Sequence, residues 1–375
     1  MPDHPPQSPN PPRLAVLASF SGSGGVERML VNLISGFVAA GREVDLLLIR
    51  DQGPHLAGLP AAVNRVPLGS KHSLLAIPAL ARYLRQARPR ALLAAKDRAG
   101  RAAVLARALA GVDTRLVLRL GTNLSASLAG RSALRRAWRY WPIRHLYPYI
   151  DRIVAVSAGV AADTATIAGL PRETIMVIRN PVITPDLRQR AAASCPHPWF
   201  QGEGPPVLLG AGRLQRQKDF PTLIRAFARV RQVCPCRLVI IGEGQERPAL
   251  TALIGQLGLM EQVDLPGFQT HPLPFLARAN LFVLSSAWEG SPNVLTEAMA
   301  LGTPVVATNC PSGPSELLDG GRIAPLVPVG DAEALAAAIL ATLNQPPPPH
   351  RLKDAVADYE QAYSAQQYLA VLELG

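Results

Sequence analysis

Glu289 and Glu297, with seven residues between them, stand in the stretch LFVLSSAWEGSPNVLTEAMALGTPVV from Leu281 to Val306. Leu281 to Leu284 is a short apolar run that fits a buried parallel strand, Ser285 to Ser291 is polar punctuation, and Pro292 sits where a first-turn proline is tolerated. Val294, Leu295, Ala298 and Met299 recur at helical spacing, Gly302 marks the helix end, and Pro304 to Ala307 begins the next strand. One carboxylate therefore precedes a helix N-terminus and the other lies in its second turn. Free amides and partial positive charge at such an end suit a diphosphate. The rise between the two, roughly 8 to 9 Å, is on the scale of that group. One glutamate could hold ribose hydroxyls and the other a sugar; two glutamates eight apart are also common on solvated helices.

Cations precede this pair. Pro206 to Ala211 reads as a strand and is followed by Gly212-Arg213-Leu214-Gln215-Arg216-Gln217-Lys218-Asp219; Arg237 to Ile241 is a strand ending in Gly242-Glu243-Gly244. In open α/β sheets ligands bind at the carboxyl ends of the strands. Arg213, Lys218, Glu243, Glu289 and the helix after Pro292 all follow such ends, so they are expected to converge on one crevice, where two cations would neutralise a diphosphate.

The elements that must position these residues alternate βαβα along the chain, which predicts parallel, doubly wound sheets. Leu14 to Ala18 is a strand, Ser19 to Gly25 (SFSGSGG) a glycine-rich turn, and Val26 to about Ala40 a helix. Strand, glycine loop and helix can cradle phosphate, although the spacing is not GxGxxG and there is no Walker lysine. Strands follow at Glu43 to Ile49, Ala91 to Ala95, Arg115 to Leu120 and Asp151 to Val156, with helices between them; Ser157 is placed as an N-cap. Thr184 to Pro205 is polar, proline-bearing and aperiodic, and the pattern restarts at Pro206. The expected organisation is a tail over 1–12, a first domain over 13–183, a linker over 184–205, a second domain over 206–349, and a C-terminal helix over 350–375 that packs back on the first domain.

A chain of 375 residues with 48% apolar and 5% aromatic content suits two soluble domains. No apolar run approaches the ~20 residues of a membrane span, and MPDHPPQSPNPP lacks the parts of a signal peptide. Cys195, Cys234, Cys236 and Cys310 are too scattered for a disulfide framework and have no zinc-site spacing, so reduced thiols, no metal and a cytoplasmic setting are expected. The net charge of +11 is uneven: between Gln52 and Ile150 seventeen Lys or Arg face two acids, Asp97 and Asp113. A nucleic acid, an anionic membrane face or a phosphorylated substrate would be attracted; no nucleic-acid motif is present. Arg131 to Tyr147 combines five arginines with Trp138, Tyr140, Trp141 and Tyr147. That suits a helix on an anionic membrane surface, or equally one whose aromatics face the core.

Glu289 and Glu297 at their spacing, Gly212-Arg213-Leu214 with Gln217-Lys218, Gly242-Glu243-Gly244, Gly24-Gly25-Val26-Glu27-Arg28, Cys310-Pro-Ser-Gly-Pro-Ser-Glu316 and Val329-Gly330-Asp331 together resemble the motif set of glycosyltransferase family 4, particularly bacterial members that build cell-surface polysaccharides. The resemblance runs from Leu14 to Leu340. It implies the two-domain GT-B architecture, two Rossmann-like domains facing across a cleft, and retaining transfer from a UDP-sugar without metal or other cofactor. By position it implies that Arg213 and Lys218 hold the donor diphosphate, that Glu297 binds ribose, and that Glu289 contacts the transferred sugar near the backbone of Ser291, Asn293 and Val294. Gly24 and Gly25 would close on the phosphates, and Glu243 would join the nucleotide site. The implied acceptor is a lipid-linked or lipopolysaccharide-type glycan, reached from the inner face of the plasma membrane through the basic first domain. Many relatives carry a His after the strand matching Arg115 to Leu120; here the residues are Gly121-Thr122-Asn123. Two rival readings stay open: a GT-B nucleotide-sugar epimerase, which would share the fold and diphosphate site, and a non-catalytic nucleotide-sugar or nucleic-acid binding protein, suggested by the missing His and the charge of +11.

Overall fold

The computed structural model describes residues 13–20, 22 and 25–375. The tail expected over 1–12 and the candidate Gly24 lie outside the described residues. Short apolar runs form strands because each is covered on both faces by helices.

The first domain begins with β1 (Leu14–Phe20), α1 (Gly25–Ala39), β2 (Val44–Asp51) and β3 (Asn64–Pro67). It continues through α2 (Ile77–Ala87), β4 (Ala91–Ala95), α3 (Asp97–Ala110), β5 (Arg115–Leu120), α4 (Leu124–Ser127) and α5 (Ala133–Leu146), and closes with β6 (Arg152–Ala155), α6 (Ala158–Ala168) and β7 (Ile175–Val177). After α7 (Leu187–Ala192) the second domain runs β8 (Val207–Ala211), α8 (Phe220–Val233), β9 (Arg237–Ile241), α9 (Arg247–Gln256) and β10 (Val263–Gly267). It then takes α10 (Leu273–Arg278), β11 (Leu281–Leu284), α11 (Asn293–Leu301), β12 (Val305–Thr308), α12 (Pro314–Leu317), β13 (Leu326–Val327) and α13 (Ala332–Asn344). Two helices finish the chain, α14 (Pro349–Asp354) and α15 (Gln361–Val371).

The sheets share one topology. The seven-stranded sheet is ordered β3-β2-β1-β4-β5-β6-β7 and the six-stranded sheet β10-β9-β8-β11-β12-β13, all paired parallel. Strand order reverses between β1 and β4 and again between β8 and β11, the two places where loops diverge and leave a crevice. This is the GT-B arrangement of two parallel Rossmann-like sheets.

The chain between the domains is more ordered than its composition suggests. Residues 184–205, expected as a linker, contain α7, and Leu187, Ala191 and Cys195 are buried in the same core as β8, α10 and α11. Leu187 and Ala191 make a single apolar i,i+4 pair, one turn long, which leaves no periodicity to read. The C-terminal stretch is not one helix. Leu352 of α14, Val356 and Tyr359 are buried against the second domain, whereas Tyr368, Leu369, Val371 and Leu372 of the α15 region join the core around β1 and α1. The chain thus crosses between domains twice. The crossings lie side by side, with Val182 and Ile183 donating backbone hydrogen bonds to Tyr359 (3.0 and 2.9 Å) and Gln361 donating to Ile183 (2.9 Å).

In α5, Ile143 faces the core and Tyr147, which follows the helix, is also buried, but Trp138 and Trp141 do not turn inward. No described helix is long and apolar enough to cross a membrane.

Leu372 is fully buried where the returning C-terminus meets the first domain. Leu372→Ala is expected to cost about 2 to 5 kcal/mol, read as a lower urea midpoint.

Candidate donor site

At the cleft the segments after β8, β11 and β12 of the second domain meet those after β1, β5, β6 and β7 of the first. Gly242, at φ +141, lies where a Cβ would be 1.9 Å from the Gly212 carbonyl oxygen, so only glycine lets the loops after β8 and β9 pack. Gly290 plays the same part between domains: a Cβ there would meet the Gly121 carbonyl oxygen at 2.1 Å.

Glu289 is 6% exposed. Its Oε1 accepts from Lys218 Nζ at 2.5 Å and from Ser286 Oγ at 2.7 Å. The strand ends deliver this pair: Ser285 Oγ donates to the Lys218 carbonyl (2.8 Å), and Ala287 N to the Gln217 carbonyl (2.8 Å). Cys310 is buried beside them, and burial, with the Glu289 charge, pushes its thiol up to about 12.

The helix after this loop is α11, with Pro292 at its N-cap rather than within its first turn. Ser291 and Val294 flank that end, both half-buried. Glu297 is 5% exposed on the second turn. Its Oε1 receives Arg28 Nη2 of the first domain at 2.5 Å, while Oε2 is buried without a hydrogen-bond partner. A buried carboxylate oxygen left open in this way is costly unless a polar group completes it, so a ribose hydroxyl fits here.

Asn293 joins the domains. Its Nδ2 donates to the Gly25 carbonyl (3.4 Å), and its Oδ1 accepts from Asn180 Nδ2 (2.7 Å). Asn180 Oδ1 in turn accepts from Arg119 Nη2 (2.7 Å), an arginine only 1% exposed. A second seam lies at α6. Glu316 accepts from the Ala158 and Gly159 amides (both 2.9 Å) and from Arg179 Nη1 (2.7 Å). Burial alone would raise this carboxyl, but Arg179 and the helix-end amides hold it below the ordinary glutamate value.

The sequence-predicted residues therefore divide. Lys218, Glu289, Ser291, Asn293, Val294, Glu297 and Gly25 gather around the α11 N-terminus. Arg213 is exposed and forms no ion pair among the described residues; its charge is felt at Lys96 of the first domain, whose ammonium is pushed below the ordinary lysine value mainly by burial. Glu243 points elsewhere: it is exposed and bound by Arg247 (2.7 and 3.0 Å), which holds its carboxyl below the usual range. An i,i+4 Glu–Arg pair on a helix edge captures it. Arg28, Asn180 and Arg119 were given no role from sequence: Arg28 stands in the Gly24-to-Arg28 motif, but a motif names a residue without naming its partner, and Asn180 and Arg119 carry no spacing signal. At the position of the absent His, Asn123 is already engaged, its Oδ1 capping α4 through Ala126 N (2.9 Å) and its Nδ2 donating to Ser312 Oγ (3.0 Å). Thr122 lines a first-domain cavity.

Comparison with known proteins agrees with this geometry. A model described as Glycosyltransferase Family 4 matches residues 23–185, and one described as Glycosyl transferases group 1 matches residues 205–345. The chain belongs to the family 4 glycosyltransferases. It is 28% identical over 333 residues to the N-acetylgalactosamine-N,N'-diacetylbacillosaminyl-diphospho-undecaprenol 4-alpha-N-acetylgalactosaminyltransferase of Campylobacter jejuni, covering 86% of this chain and 88% of that one. An uncharacterized glycosyltransferase of Methanocaldococcus jannaschii is 44% identical over 113 residues, 30% of this chain and 28% of that protein's length. The structure of Anabaena HepE in complex with UDP shares the fold, with TM-score 0.76 at 21% identity over 96% of this chain and 99% of that one.

Two outcomes follow from this family member's buried charges. Lys218→Met leaves Glu289 buried without its cation and is expected to lose about 3 kcal/mol or more; Lys218→Met with Glu289→Gln recovers most of it, measured by urea denaturation of both variants. Because the Glu316 carboxyl is depressed in the folded state, its contribution is present above the unfolded value and is lost as pH falls through the folded one. Glu316→Gln is therefore expected to flatten the acid limb of stability against pH, followed by thermal melting from neutral pH downward.

Proposed function

We propose that this chain is a retaining glycosyltransferase that moves a hexose or N-acetylhexosamine from a UDP-sugar to a lipid-linked or lipopolysaccharide-type glycan at the inner face of the plasma membrane. The observation that carries the reading is the pairing of two buried carboxylates about one helix N-terminus, Glu289 held by Lys218 and Glu297 with an open oxygen. The α11 amides, Lys218 and Arg213 supply positive charge for a diphosphate. Glu297 takes the ribose, and Glu289 takes sugar hydroxyls. The printed name of the Campylobacter relative, a transferase acting on a diphospho-undecaprenol-linked sugar, favours a lipid-linked acceptor, and the UDP in the HepE structure favours that nucleotide.

In this reading the bond from the sugar's anomeric carbon to the diphosphate breaks while the acceptor hydroxyl forms its bond on the same face. The hydroxyl proton passes to the departing phosphate oxygen. The protein's part is to stabilise charge growing on that phosphate, which Lys218 and the α11 amides do without a divalent ion.

UDP release is expected from one member of a panel of UDP-sugars given membrane extract as acceptor, unchanged by EDTA and reduced at least a hundredfold by Glu289→Ala or Arg213→Ala. Release that either variant leaves intact would overturn the site assignment.

A further inference from the structure

Arg119 is buried with nothing to answer its charge. It is the bulkiest of the fully buried side chains among the described residues, 1% exposed. Leu118 and Leu120 lie in the core on one face of β5, and Arg119 points to the other face, where Val117 and Tyr368 of α15 are packed. Its guanidinium lies directly under the turn after β5, where a Cβ on Gly121 would meet Nη1 at 3.1 Å. No carboxylate pairs with it among the described residues. Tyr368 lies beside it, but burial pushes that phenol up to about 12 against the pull of the guanidinium, so it stays neutral. Nε and Nη1 have no hydrogen-bond partner, and Nη2 alone is engaged, donating to Asn180 Oδ1 at 2.7 Å. A guanidinium taken out of water on these terms costs stability, and an apolar side chain of similar size would pack there at less cost. Packing therefore does not explain Arg119.

What a guanidinium supplies that no apolar group can is donation without acceptance. Facing a pure donor, the Asn180 carboxamide must turn its oxygen to Arg119 and its NH2 group away. That NH2 meets Asn293 Oδ1 at 2.7 Å. Asn293 directs its oxygen to Asn180, so its own NH2 is left facing the cleft, where it reaches the Gly25 carbonyl at 3.4 Å, a long and weak contact. Three groups thus point their hydrogens one way, from a buried cation in the first domain to the first residue of α11 in the second. Without Arg119 the chain has no direction: each carboxamide could turn over, and Asn293 would offer the cleft its oxygen as readily as its NH2. The sign matters at this position. Asn293 opens α11, whose amide end suits a diphosphate. An NH2 there adds a donor for a phosphate oxygen, and a carbonyl oxygen there repels one.

We propose that Arg119 is a positioning residue of the donor site: through Asn180 it fixes the Asn293 carboxamide with its NH2 toward the cleft, where that group donates to the diphosphate of the bound nucleotide. Arg119 itself does not touch the ligand. On donor binding the weak contact to the Gly25 carbonyl is exchanged for a charge-assisted bond to a phosphate oxygen. The inference rests on the transferase reading for the identity of the anion; the orienting relay stands on its own three hydrogen bonds.

Calorimetry of the full chain with UDP and with uridine, which lacks the diphosphate, separates this role from a merely structural one. Arg119→Met and Asn293→Ala are each expected to weaken UDP binding about tenfold or more and to leave uridine binding unchanged. In the double variant the losses do not add, because Arg119 acts only through Asn293; it binds UDP no more weakly than Asn293→Ala alone. Asn180→Asp keeps the test open should Arg119→Met fail to fold, since it gives Arg119 a counter-charge and is expected to melt at or above the wild-type temperature. A carboxylate only accepts, so this variant turns Asn293 over and weakens UDP binding about tenfold, a loss that vanishes on the Asn293→Ala background. Full additivity of Arg119→Met with Asn293→Ala, undiminished UDP binding by Asn180→Asp, or equal losses for UDP and uridine would overturn the proposal. The expected binding pattern in a chain that releases UDP from no UDP-sugar would support the relay and fault the transferase reading instead. A wild type that binds neither UDP, GDP nor ADP would overturn both.

Discussion

Glu297 is a carboxylate removed from water whose charge is answered from the other domain. Desolvating such a group is affordable only when a cation meets it, and that cation is Arg28, in the first turn of α1. The contact at 2.5 Å ties the start of α1 to α11, the helix after β11. The rest of the seam is arranged around this one requirement: Asn293 reaches the Gly25 carbonyl, Asn180 backs Asn293, and buried Arg119 backs Asn180. Glu289, eight residues before Glu297, has the same need met from within its own domain by Lys218. One buried carboxylate thus closes the cleft and the other is indifferent to whether it is closed.

That difference explains what could be read beforehand. Strands such as Ala91–Ala95, Arg115–Leu120, Arg237–Ile241 and Leu281–Leu284 carry their signal in a few consecutive apolar residues, because a parallel strand is buried on both faces. The Lys218 and Glu289 neighbourhood was legible for a related reason: each follows a strand end, and the topology alone brings strand ends together. Glu297 was legible from its helix. Its partner was not, since nothing in the spacing of Arg28 says that its guanidinium will meet a carboxylate 269 positions later.

Three placements that the sequence did not give have local causes. Glu243 follows a strand end as Lys218 does, but Arg247 lies one helical turn beyond it and takes the carboxylate outward. The stretch 184–205 looked structureless because α7 is only six residues long and shows a single apolar pair. The aromatics of α5 fit both a core helix and a surface one, and only the packing of Ile143 and Tyr147 beneath it decides which face carries Trp138 and Trp141. A pattern of alternating charge and aromatic ring fixes the helix's two faces without saying which one is inward.

The paired crossings near Ile183 and Glu360 bear on how the two domains move. A single connecting segment would act as a swivel, leaving bend, twist and slide all available. Two segments bonded to each other at Val182, Ile183, Tyr359 and Gln361 form a short ribbon, and a ribbon flexes readily about one axis while resisting rotation about its own length. Any opening of the cleft is thereby confined to hinge-like bending, a path on which Arg28 would meet Glu297 and Gly290 meet Gly121 again in the same register.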